Sequence, residues 1–292
     1  MKPRTQFLIC TTPRSGSTLL CSLLGSTGVA GMRRAPAVGH EYALELVGRR
    51  DQRTDIGPLD RGGLQRFFLD ALDRSRTPNG VAGFKLMWEQ VRRLALRLGY
   101  PANSEKVGFH DIARLFPDST LFIWLTRRER VRQAVSLVKA VQSQCWTSAE
   151  QERFTSFYAF DYLALRRTMK MLEHHDAMWR EFFEYNAIKP LEVVYEDVIR
   201  DRWAQVQRIA GFVEIPGAVA SEIGEVHFRQ QSVALNDLWV ERFERICSRG
   251  PVVHSLYTAW SFPRWIGLRV LSRFRAARRV RRLPGRERLE PR

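Results

Sequence analysis

The chain has 292 residues, with 47 Lys+Arg against 31 Asp+Glu and a formal net charge of +16. Its 45% hydrophobic and 27% charged residues make an ordinary globular balance, which excludes a disordered or coiled-coil chain. Only six of the basic residues are lysines, and Arg264–Arg292 alone holds eleven arginines and two glutamates, a net +9. Over half of the excess therefore sits in the last tenth of the chain, and a nucleic-acid binder along the whole length is not implied. The four cysteines, Cys10, Cys21, Cys145 and Cys247, form no CxxC pair, which argues against a disulfide framework or a structural zinc site. The apolar run in MKPRTQFLICTTPRSG is too short for a signal-peptide core. No window approaches the roughly 18–20 apolar residues of a membrane span. The default expectation is a cytoplasmic, enzyme-sized domain.

In chain order, Phe7–Cys10 is a short apolar run that enters TTPRSGST, and LLCSLL behind it reads as a buried helix. Residues 28–63 are rich in Gly, Pro and Arg and read as loop, with a short helix over Glu41–Val47. Leu64–Ser75 has helical spacing, with Leu64, Phe67, Phe68, Ala71 and Leu72 on one face. TPNG turns the chain into VAGFKLMW, a second strand, and Leu121–Leu125 is a third. Arg130–Trp146 alternates at helical period, and residues 156–185 form a long aromatic-rich helical stretch. LEVVYEDV is a strand running on into a helix at Trp203–Phe212. Trp88 and Trp146 are expected in the core. Strands alternating with helices predict an α/β fold with a central parallel sheet, whose ligands bind at the carboxyl ends of the strands. The composition shifts after Gly250-Pro251, so a globular domain over 1–250 and a basic tail over 251–292 are expected.

The turn after the first strand carries the chemistry. A helix N-terminus offers unpaired backbone N–H groups and the positive end of the helix dipole. Gly16 lets the backbone approach an anion, Ser15, Ser17 and Thr18 supply hydroxyls, and Arg14 supplies a fixed positive charge. The Walker A pattern asks for G-x-x-x-x-G-K-[ST], whereas Ser17 stands here where its lysine should be, so ATP with magnesium fits poorly. A second anion feature, Thr126-Arg127-Arg128-Glu129-Arg130, follows the Leu121–Leu125 strand. Arg127 can grip a phosphate by a bidentate contact, and Ser136 on the next helix adds a hydroxyl. Two anion features at strand ends suit a nucleotide that carries phosphates at both its 5′ and 3′ positions.

Those two features resemble the 5′- and 3′-phosphate motifs of sulfotransferases that use 3′-phosphoadenosine 5′-phosphosulfate (PAPS). More narrowly, the chain resembles the bacterial trehalose 2-sulfotransferase family. The stretches that match are PRSGSTLL at 13–20, TGVAG at 27–31, Glu41-Tyr42, TPNGVAGFKLMWEQ at 77–90, QAVSLVKAVQSQCW at 133–146 and DLWVERF at 237–243, spread over roughly residues 5–247. The resemblance implies a P-loop-like sulfotransferase fold in which residues 14–18 hold the 5′-phosphosulfate and Arg127 with Ser136 the 3′-phosphate. Arg229 would approach the 3′ end of the nucleotide. Glu41 falls at the position of the catalytic base, which takes the proton of the attacking hydroxyl. Arg14, the amides of the turn and Lys85 would stabilise the departing oxygen. No metal is implied. A small-molecule carbohydrate or glycolipid acceptor is, and the resemblance also suggests a homodimer.

The sequence departs from the family pattern on the acceptor side. Pro13 stands where the sugar enzyme carries a glutamine, MRRAPAVGH lengthens the connector between Gly31 and Glu41, and Arg128 replaces a proline. Trehalose, another sugar, a glycolipid and an alcohol therefore stay open as acceptors. In the tail, Ile266, Val270, Phe274, Ala277 and Val280 share one face that Arg273 and Arg281 interrupt. A contact with the inner membrane surface and plain disorder are equal readings of that tail, both ahead of nucleic acid. Two other functions remain: a P-loop-like kinase using the same turn, and a non-catalytic basic protein that binds membrane or nucleic acid.

Overall fold

The computed structural model describes residues 5–32, 61–101, 108–143, 145–146, 158–215 and 233–249. Four strands form its sheet: β1 (Thr5–Thr11), β2 (Val81–Met87), β3 (Thr120–Thr126) and β4 (Leu191–Val194). The order is β2-β1-β3-β4 and every pairing is parallel, with Ile9 beside Lys85 and Ile123, and Leu125 beside Val193. β1 lies inside the sheet and is buried almost throughout, as a parallel strand covered on both faces must be. This is the α/β fold with a central parallel sheet that the sequence predicts.

Alternation along β1 divides the core in two. Leu8 and Cys10 join a cluster with α2 (Arg61–Ser75), through Leu64, Phe68, Ala71 and Leu72. The same cluster takes Trp179, Phe182 and Phe183 of α6 (Tyr162–Tyr185) and Trp88 of α3 (Trp88–Arg97). Trp88 meets Trp179 edge to face at 5.1 Å, and such pairs favour one packing over its alternatives. Phe7 and Ile9 face the other way, onto Leu19, Leu20, Leu23 and Leu24 of α1 (Ser17–Ser26) and Val206 and Ile209 of α8 (Arg202–Phe212).

Several boundaries differ from the sequence expectation, each for a local reason. α6 begins at Tyr162 rather than 156, because the Asp161 carboxylate accepts the Ala164 N–H at 2.9 Å and caps it. α5 (Arg130–Ser143) stops short of Trp146, so the helical period does not carry that indole inward. Trp146 is 46% exposed and not a core residue, whereas Trp88 is buried as expected. LEVVYEDV stays extended only to Val194, and Tyr195 opens a short helix, α7 (Tyr195–Arg200). Besides α7, three more helices depart from the sequence expectation: α3, α4 (Phe109–Ala113) and α9 (Val233–Cys247).

The described residues fall into two compact units, one of 5–130 with 171–215 and one of 131–170 with 233–249. The first contains the sheet. In the second, α5 and α9 are joined by the Arg132–Asp237 ion pair and by the Lys139 ammonium, which donates to Asn236 Oδ1 at 2.8 Å. Trp239 packs on Phe160 and Phe243 on Tyr162, which ties α9 to the start of α6. Among the described residues, no helix is long and apolar enough to cross a membrane. The expected helix at 41–47 and the tail at 251–292 lie outside the described residues.

Candidate active site

β1 delivers the chain into the turn 12–16 with its last groups already tied down. Thr11 Oγ1 donates to Leu125 O of β3 at 2.9 Å. The Ser15 hydroxyl lies 2.5 Å from Thr11 Oγ1, and either oxygen can donate to the other. This contact braces the Ser15 side chain inside the turn. The indole Nε1–H of Trp179 donates to Thr11 O at 2.9 Å and satisfies a strand-end carbonyl. Behind the turn, the Asp176 carboxylate pairs with Arg130 and lies beside Thr12; burial raises its pKa above the ordinary carboxylate value, against the pull of Arg130 and Thr12.

The backbone then reverses through two left-handed residues, Arg14 (φ 63°) and Gly16 (φ 84°). Gly16 is the N-cap of α1 and brings no capping side chain, so the first-turn amides of α1 are left to face an anion. A side chain at this position has no room, because a Cβ there would meet Cε2 of Tyr195 at 2.5 Å. Ser17 is buried and Thr18 half-buried at the helix start.

The end of β3 lies beside this turn. Arg127 Nη1 donates to Arg14 O at 3.1 Å, and its guanidinium stacks on the Tyr195 ring, 4.5 Å from the centroid. Its side chain is 10% exposed, the carboxylates of Glu129 and Glu196 stand off at 3.6 and 3.8 Å, and its buried Nε has no hydrogen-bond partner among the described residues. Burial lowers the pKa of Arg127, with Tyr195, Glu196 and Glu129 pulling the other way. Burial and the neighbouring Arg127 likewise lower that of Arg14. Two desolvated guanidiniums held side by side repel each other, and an anion between them relieves the repulsion.

Lys85 lies on β2 beside Ile9, on the strand face of Val81 rather than that of Ala82, Phe84 and Leu86. It is 4% exposed, and its charge reaches the buried Cys21 thiol, where it opposes the rise in pKa that burial causes. The TGVAG and TPNG stretches meet at the start of β2. The Thr77 hydroxyl accepts the Gly31 N–H at 3.3 Å and lies 2.6 Å from Asn79 Oδ1, while Asn79 Nδ2 donates to Val29 O at 2.9 Å. Gly31 sits so close to β2 that a Cβ would meet the Ala82 backbone at 2.8 Å. These contacts fix the point from which the chain departs toward Glu41.

The structure thus brings together Arg14, Ser15, Gly16, Ser17, Thr18 and Arg127. Ser136 is half-buried on α5, in the other unit. Glu41 and Arg229 lie outside the described residues. The sequence reading overlooked Trp179, Asp176, Tyr195 and Glu196. A Tyr-Glu-Asp run at the end of a parallel strand was the available signal for Tyr195 and Glu196.

A model of the Stf0 sulphotransferase family matches residues 6–246. The chain belongs to that family. It is a sulfotransferase, and its relatives are of the same kind. The trehalose 2-sulfotransferase of Mycobacterium tuberculosis (strain Erdman) is 29% identical over 259 residues, covering 81% of this chain and 93% of that protein. That of Mycolicibacterium smegmatis is 27% identical over 266 residues, covering 84% and 96%. Among solved structures, the sulfotransferase domain of the Synechococcus PCC 7002 olefin synthase aligns at a TM-score of 0.37 and 13% identity, over 84% of this chain and 98% of that one. In this sulfotransferase the turn after β1 and the end of β3 bring Arg14 and Arg127 side by side. Among its described residues, no group of three His, Cys, Asp or Glu side chains is placed to hold a metal ion.

Proposed function

We propose that this sulfotransferase moves the sulfuryl group of PAPS to a hydroxyl of a carbohydrate or glycolipid. The observation that carries the reading is the junction of two anion sites at neighbouring strand ends, made by Arg127 donating to Arg14 O at 3.1 Å. The uncapped N-terminus of α1, the crowded Arg14–Arg127 pair and the Arg127 Nε, which has no hydrogen bond among the described residues, suit a nucleotide with phosphates at both 5′ and 3′ positions. In this reading Arg14 and the amides of residues 15–18 hold the 5′ side and Arg127 the 3′ side. Ser136 and Arg229 are assigned to the 3′ side by resemblance.

PAPS supplies the sulfuryl group when bound. Glu41 accepts the proton of the acceptor hydroxyl as its oxygen attacks, so no covalent enzyme intermediate is required. Arg14 and the N-terminus of α1 neutralise charge that grows on the departing oxygen, and the buried Lys85 adds a positive charge near the end of β2. The relatives named for trehalose place that sugar first among acceptors to test. Pro13 and the MRRAPAVGH segment differ on the acceptor side, so a panel of sugars and glycolipids belongs beside it.

Thermal unfolding with adenosine 3′,5′-bisphosphate, compared with ATP plus magnesium, tests the donor. A ligand at 100 times its Kd stabilises by about 2.7 kcal/mol, a shift of several degrees. A larger response to ATP, or none to the bisphosphate, overturns the reading. Glu41→Gln should lower sulfation by about 10²-fold or more while leaving bisphosphate affinity intact. A fully active Gln variant removes Glu41 as the base.

A further inference from the structure

Glu196 lies 67 residues or more from the β3–α5 loop in sequence, yet it is the group that closes that loop. Its Oε2 accepts the Arg128 N–H at 3.0 Å and its Oε1 accepts the Glu129 N–H at 3.1 Å. The neighbouring Asp197 binds the Arg128 guanidinium through both oxygens, at 3.2 and 2.7 Å. The residue before, Tyr195, carries the ring on which Arg127 stacks. One turn of α7 therefore holds Arg127 by its face, Arg128 by its backbone and side chain, and Glu129 by its backbone. The 3.8 Å from Arg127 Nε to Glu196 Oε1 is too long for a hydrogen bond, so the carboxylate hydrogen-bonds the loop and reaches the guanidinium through its charge alone.

We infer that Glu196 is a positioning residue for nucleotide recognition. By satisfying the amides of Arg128 and Glu129 it fixes the backbone that aims Arg127 at the 3′-phosphate. The inference rests on the reading that Arg127 holds that phosphate. Charge and placement make opposite demands here. A carboxylate close to a phosphate site weakens phosphate binding by repulsion, so its removal tightens binding if charge is all it contributes. If it holds the loop, removal weakens binding despite the gain in charge.

The test is calorimetric titration of adenosine 3′,5′-bisphosphate and adenosine 5′-monophosphate into the wild type, Glu196→Ala and Glu196→Gln. Glu196→Ala should raise the Kd of the bisphosphate about tenfold, as expected when charge-assisted hydrogen bonds that hold a binding group are lost. The Kd of the monophosphate, which does not engage Arg127, should stay within about threefold. Glu196→Gln keeps one acceptor oxygen and should fall between Ala and wild type, so it decides the matter if the Ala variant does not fold. In an Arg127→Met background Glu196→Ala should have no further effect on the bisphosphate. Tighter or unchanged bisphosphate binding in the Gln and Ala variants overturns the inference, as does an equal loss for both nucleotides. A wild type that binds the two nucleotides equally overturns the underlying assignment of Arg127, and with it this inference; that failure is visible before any variant is made.

Discussion

Gly16→Ala exposes the constraint on the anion turn most directly. Gly16 holds φ 84°, and placing a residue with a side chain in that left-handed region costs about 1–2 kcal/mol. The added Cβ would also meet the Tyr195 ring at 2.5 Å (Cε2), well inside the roughly 3.5–4.0 Å at which carbons pack. Tyr195 is 8% exposed and backed by Arg127, so the ring yields only by displacing its neighbours. Overpacking of that kind adds about 1–3 kcal/mol. Gly28 is the internal control: it has φ 68°, but an added Cβ there would meet nothing within 4 Å, so Gly28→Ala carries the conformational cost alone. Urea denaturation of both variants should place Gly16→Ala lower than Gly28→Ala by about 1–3 kcal/mol, or several degrees in Tm. Titration with adenosine 3′,5′-bisphosphate should show weaker binding only in Gly16→Ala, because the displaced ring carries Arg127 with it. Equal stability and equal affinity in the two variants would refute the argument that Tyr195 closes over the turn.

Three other outcomes follow from the same geometry. Trp179→Phe removes the donor to Thr11 O and should cost about 1–3 kcal/mol in urea unfolding; a loss below about 0.5 kcal/mol argues that water replaces the indole. Thr77→Val leaves the Gly31 N–H without its acceptor and should destabilise by a similar amount, about 1–3 kcal/mol, with weaker sulfation because the segment toward Glu41 loses its anchor. Unchanged stability would count against that anchor. Asp176 has a pKa raised by burial, so the folded chain keeps its proton at a pH where the unfolded chain has released it. Its stabilising contribution is complete below the ordinary carboxylate pKa and is lost as pH rises through the raised value. Asp176→Asn should therefore show a shallower fall in stability over that window than wild type, measured by urea midpoints across a pH series. Parallel curves would contradict the assignment.

The part of the site that repeats a local pattern was readable from residues alone. A buried strand, a turn containing Gly16 and a leucine-rich helix follow one another within 22 residues, from Thr5 to Ser26, and backbone preference and helix dipole act over that range. Arg127 was legible for the same reason, as a charge standing directly after an apolar strand. Sequence presents Ser15 as one more hydroxyl in the turn, and only the tertiary structure shows its 2.5 Å contact with Thr11 Oγ1. Trp146 was misjudged because periodicity was extended past Ser143, where the helix ends.

The α/β class, the anion turn and its arginines were thus written into the order of residues, since each depends on neighbours a few positions away. Which distant residues enclose that turn was settled by packing. The order β2-β1-β3-β4 sets the carboxyl ends of β1, β3 and β4 side by side. That adjacency brings Tyr195 over Gly16 and under Arg127, and lets Glu196 close the arginine loop. Parallel strands pair through long connections, so no local periodicity records which strand ends become neighbours.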